Sequence, residues 1–115
     1  MALSEFEIEK VKTVMESFIA KRRPPEEIRD EVDLFYRIEN QSVEIYELRA
    51  LYHRVGEKIE SPIAKTTYNR ASGKWKIFWM RSDLKWHGYS EQREVNDIKQ
   101  FVRIVDEDKF GCFWG

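Results

Sequence analysis

VDLFYRIENQSVEIYELR, Val32 to Arg49, decides the fold. Val32, Leu34, Tyr36 and Ile38 alternate with Asp33, Phe35, Arg37 and Glu39, the period of two that marks a strand with one wet face. Asn40-Gln41 reads as a tight turn, and Ser42 to Arg49 alternates again, so the stretch is a β-hairpin.

Working outward, the same grammar recurs downstream. KTTYNR, Lys65 to Arg70, is rich in strand-forming threonine and tyrosine. Ala71-Ser72-Gly73 supplies a turn, and WKIFWMR, Trp75 to Arg81, is the returning strand of a second hairpin. Ala50 to Ala64 carries Gly56, Ser61 and Pro62 and reads as a connecting loop with an extended start; Ser82 to Val95 shows no period.

The flanks are helical. Ser4 and Glu7 form a capping-box pair, followed by Phe6, Val11, Val14, Met15, Phe18 and Ile19 at helical spacing. Pro24 stops that helix near Arg23, because the residue before a proline avoids helical backbone, and Pro25-Glu26-Glu27 suits one further short turn. Asp97 and Gln100 repeat the capping-box spacing ahead of Ile98, Phe101, Val102 and Val105. The sum is an α+β fold: a four-stranded antiparallel sheet of two hairpins, with an N-terminal and a C-terminal helix packed on one face. The last residues, 109–115, are KFGCFWG, too apolar to hang free; they are expected to dock on the domain or on a partner copy.

Composition agrees with one domain over 1–115. Apolar residues at 42% and charged residues at 36% suffice for one core under a charged skin. A single cysteine, Cys112, excludes an internal disulfide and suits a reducing cytoplasm. The acidic start MALSEFEIEK lacks the basic-then-apolar form of a signal peptide, and no apolar run reaches the roughly 18 residues of a membrane span. Two histidines, His53 and His87, with one cysteine cannot complete the usual structural zinc site, and five scattered glycines form no phosphate loop. No catalytic residue, metal or cofactor is expected.

Charge singles out one segment. Residues 65–87 hold Lys65, Arg70, Lys74, Lys76, Arg81 and Lys85 against Asp83 alone, a balance of +5 in a chain whose net charge is −1. Within it, KWKIFWMRSDLKWH (74–87) carries three of the four tryptophans. As a strand it puts Trp75, Ile77, Trp79 and Arg81 on one face and Lys74, Lys76, Phe78 and Met80 on the other. An open face of cations and rings holds phosphates and stacks bases, so the segment points to a non-enzymatic nucleic-acid-binding module. Its candidate residues are Arg70, Lys74, Lys76, Phe78, Arg81, Lys85, Trp86 and His87. The plainer reading pairs the lysines across strands with Glu39, Glu44 and Glu47, as mixed-charge sheets commonly do.

Two other functions compete. The apolar tail fits a self-associating protein, a homodimer joined through its aromatic end. Asp33, Glu44 and Glu47 with Lys76 or Lys85 suggest a magnesium-dependent nuclease, although surface acids explain the same residues more simply. Asp83, Lys85 and His87 share one side of an extended chain, which suits either proton transfer or a solvated loop with one ion pair.

RRPPEEIRDEVDLFYRIENQSVEIYELR, SPIAKTTY, KWKIFWMRSDLKWH and VDEDKFGCFWG together resemble a bacterial family of unknown function, DUF3024. The resemblance spans nearly the whole chain in the same order. It implies a stand-alone, single-domain bacterial protein, and it carries over no catalytic residue.

Overall fold

The computed structural model describes residues 2–51 and 53–115. Helix α1 spans Glu5–Arg22. Its capping box forms: Glu7 N–H donates to Ser4 Oγ at 3.2 Å, and Ser4 N–H donates to the Glu7 carboxylate at 2.8 Å. Val11, Val14, Met15 and Phe18 make its buried stripe. Phe6 does not join them, being 82% exposed; Leu3, just before the helix, is buried instead and donates its N–H to Asn40 O. The helix ends at Arg23, whose extended backbone is what Pro24 requires. A single 3-10 turn follows at Glu26–Ile28.

The strands are β1 (Val32–Glu39), β2 (Ser42–Ala50), β3 (Lys58–Asn69), β4 (Lys74–Met80), β5 (Trp86–Gly88) and β6 (Glu94–Val95), and α2 (Ile98–Glu107) closes the order. The sheet therefore has six strands among the described residues, not four. Its order is β1-β2-β3-β4-β5, with β6 also on β4, and every pairing is antiparallel. The two extra strands have three and two residues, too short to show a period. They share one edge: β5 pairs with Phe78–Met80, while β6 pairs with Trp75 and Lys76.

β3 also begins earlier than its sequence suggests. Its first half lies beyond a register shift, where Ile45 pairs with Ala64 but Tyr46 pairs with Pro62, leaving Ile63 as the extra residue of a bulge. A bulge breaks the alternation that a reader counts, and Pro62 has no N–H to give the ladder.

The core lies on one side of the sheet. Leu34, Val43, Ile45, Ala64, Thr66, Trp75 and Ile77 are buried there, and α1 and α2 add Val11, Met15, Phe18, Ile98, Phe101 and Val105. Each fully buried large side chain is worth about 1.5–3 kcal/mol relative to exposure. Thr66, fully buried, satisfies its hydroxyl by donating to Lys76 O at 2.8 Å. Ion pairs join the helices to each other and to the sheet: Lys10 with Asp97, Arg22 with Asp106, and Arg23 with both carboxylate oxygens of Asp33. Among the described residues no helix is long and apolar enough to cross a membrane.

Candidate nucleic-acid interface

Alternation along each strand sends every second side chain away from the helices. On β4 the outward set is Lys74, Lys76, Phe78 and Met80, between the buried Trp75 and Ile77. The register then fixes their neighbours. Lys65 on β3 faces Phe78, and Thr67 faces Lys76. On β5, Trp86 faces Met80 and Gly88 faces Phe78; on β6, Glu94 faces Lys76.

The outcome is a band of rings and cations on the open face. The Lys65 ammonium lies 5.9 Å from the Phe78 ring centre and 5.8 Å from that of Trp86. Further along, Phe35 on β1 and Tyr46 on β2 stack with centroids 5.2 Å apart and planes 17° from parallel. The Arg37 guanidinium sits 4.9 Å from the Tyr46 ring centre and 5.6 Å from that of Phe35.

Acids share this face, and their partners are particular. Glu60 pairs with Arg37 at 3.1 Å, and Glu44 accepts the Tyr46 hydroxyl. Burial first, and Glu44 second, push the Tyr46 phenol up to about 12. Lys74 is approached by Glu94 at 3.8 Å, not by Glu39, Glu44 or Glu47. Glu44 stands opposite Lys65, Glu39 opposite Ser42, and Glu47 opposite Leu34 with its carboxylate on Arg49. Lys65 and Lys76 make no ion pair among the described residues.

The eight residues singled out by charge thus divide. Lys74, Lys76, Phe78 and Trp86 share the open face. Arg81 and His87 belong to the opposite pleat, beside Trp79: His87 faces Trp79 in register, and the Arg81 guanidinium lies 5.4 Å from the Trp79 ring centre. Lys85 lies in the loop before β5, where its carbonyl accepts the Arg81 N–H. Arg70 is committed elsewhere. Its guanidinium turns to the start of α1, donating to Glu7 at 2.9 Å and to Ala2 O at 3.2 Å. The ring and cation partners absent from those eight are Phe35, Arg37, Tyr46 and Lys65. Phe35 had a local signal, an aromatic at an outward position between two charged residues, and Lys65 had one in the charge balance of residues 65–87; Arg37 and Tyr46 needed the register.

Asp83 and His87 do meet, at 2.8 Å, within a tight loop where Leu84 takes φ 61°. Asp83 also accepts the Lys85 N–H, so the carboxylate closes the turn between β4 and β5. The His87 hydrogen bond holds the Asp83 carboxyl below its ordinary value. The three acids of the nuclease reading do not converge. Asp33 is gripped by Arg23, Glu44 by Tyr46 and Glu47 by Arg49, and no group of three metal-ligating side chains comes together among the described residues.

These features define a small α+β protein whose antiparallel sheet is packed against helices on one side and bears uncovered rings and cations on the other. The chain belongs to the family described as a domain of unknown function, DUF3024, which it matches over residues 3–115. No curated protein and no solved structure matches it.

Proposed function

We propose that the open sheet face binds single-stranded nucleic acid as a non-enzymatic module. The observation that carries this reading is the Lys65 ammonium set over both Phe78 and Trp86, beside Lys76, which makes no ion pair among the described residues, on the sheet face turned away from the helices. Bases stack on Phe78 and Trp86, while Lys65, Lys74 and Lys76 neutralise the phosphates. Stacking of that kind is worth about 1–3 kcal/mol per base and tolerates any sequence. Arg70 drops out of the interface, and Arg81 and Lys85 flank it at the loop between β4 and β5. A reducing cytoplasm suits such a module, with its one half-buried thiol at Cys112.

A fluorescence titration with a single-stranded DNA octamer tests it. Trp86 is the tryptophan on this face, so binding quenches emission and Trp86→Phe removes the quench. For a single strand each neutralised phosphate contributes about 0.7 to the slope of log affinity against log salt. Lys65→Gln with Lys76→Gln therefore flattens the slope by about 1.4. Absence of quenching at low salt, or affinity indifferent to salt, refutes the reading. Self-association through the tail is less well supported, because Phe113 is buried and Trp114 is hydrogen-bonded within the same chain.

A further inference from the structure

The ring-and-cation band ends at a cleft. Beyond β5 the chain arches away from β4 over Tyr89–Arg93, tied by Tyr89 N–H to Ile77 O and by Ile77 N–H to Arg93 O, each at 2.9 Å. Beneath the arch is an open volume of about 540 Å³, lined by Lys76, Phe78, Gly88, Ser90, Arg93 and Glu94. Sites for small ligands typically span about 300–1,000 Å³.

Gly88 is the informative residue. Its φ lies outside the left-handed region that favours glycine, and an added Cβ would meet no atom within 4 Å. Neither the backbone nor the packing forbids a side chain there, and a strand position favours a branched one. What glycine leaves is a flat, empty floor beside the Phe78 ring, on the pleat that carries Trp86. Two cations border this floor. Lys76 and Arg93 are both exposed and make no ion pair among the described residues, whereas Glu94 is drawn toward Lys74. A ring wall, an open floor, two free cations and a hydroxyl match a flat heterocycle joined to a phosphate.

We infer that this cleft takes one nucleotide of the bound strand, its base lying over Gly88 against Phe78 and its phosphate between Lys76 and Arg93. Ser90 Oγ and the Glu94 carboxylate border the sugar and the base edge. The inference rests on the single-strand reading above and adds a defined subsite to it.

Gly88→Val fills the floor without asking the backbone for a new conformation, and Arg93→Gln removes one phosphate partner. Both are titrated with the same DNA octamer, with thermal melts to check folding. Gly88→Val is expected to weaken binding about tenfold, the loss of one base stack, while keeping the wild-type melting temperature. Arg93→Gln is expected to flatten the salt slope by about 0.7. Wild-type binding by both variants overturns the subsite and leaves the open-face reading standing. No octamer binding by the wild-type protein overturns both. If Gly88→Val melts early, Arg93→Gln decides alone.

Discussion

Replacing Phe113 by alanine tests whether the end of the chain is part of the core. Phe113 is 6% exposed, and its ring centre lies 5.1 Å from that of Tyr89, itself 3% exposed. The path that takes it there is specified atom by atom. α2 ends at Asp108 in left-handed backbone, φ 41° and ψ 52°. The Asp108 carboxylate then accepts the N–H of Phe113 at 3.0 Å and of Trp114 at 2.9 Å. Trp114 Nε1 donates to Val105 O at 2.8 Å, and the Arg22 guanidinium covers that indole at 4.0 Å.

Removing a buried phenylalanine ring costs about 3–5 kcal/mol, of which about 0.5–1.5 kcal/mol belongs to its pairing with Tyr89. A domain of this size has about 5–15 kcal/mol in all, so Phe113→Ala removes a large share of it. The melting temperature should fall by roughly 12–20 °C at about 4 °C per kcal/mol. Urea unfolding followed by circular dichroism measures the loss, and a double-mutant cycle with Tyr89→Leu measures the ring–ring part. A loss below about 1 kcal/mol, the size of a surface substitution, refutes the docking argument. A loss that depends on protein concentration refutes docking within one chain and places the tail on a second copy.

Acid stability gives a second test. Asp33 is held below its ordinary 3.8, chiefly by the Arg23 hydrogen bonds. A depressed folded pKa gives stability that is complete above the unfolded value and is lost as pH falls through the folded one. Asp33→Asn should therefore lower stability at neutral pH and flatten its decline below about pH 4; an unchanged decline in urea midpoints across that range would count against the Arg23 pairing. Tyr46 supplies the third: burial, then the hydrogen bond to Glu44, pushes its phenol up to about 12. Tyr46→Phe should therefore delete phenolate absorbance that the native protein gains near pH 12, and absorbance there that survives the substitution unchanged would count against the Glu44 pairing.

What the sequence made legible was whatever repeats locally. The hairpin of β1 and β2 is an uninterrupted alternation around Asn40, whose φ of 55° suits an asparagine. Both helices announce themselves through capping boxes that form as written. The open face of β4 follows from the same counting. Other features depend on contacts between distant residues, which no local pattern encodes. β5 and β6 exist because β4 has an edge to share, and β3 is masked by its bulge. Arg70 looked like part of a basic face, yet it pairs with Glu7, 63 residues away. The glutamate near Lys74 is Glu94, which lies in a stretch with no period at all.

The two faces of β4 are not independent. A strand's side chains alternate strictly, so a slip of one residue would carry Lys74 and Lys76 into the core and put Trp75 and Ile77 in water. The burial of Trp75 and Ile77 opposes that slip, and so the packing on one side fixes which residues appear on the other. Thr66 tightens the link, because its buried hydroxyl holds the carbonyl of Lys76, the residue that borders both the ring band and the cleft. The cations and rings of the open face are thus held in place by groups that never touch it. Substitutions at Thr66 or Ile77 should be felt there as a loss of geometry, and substitutions at Lys76 or Gly88 should leave the core as it is.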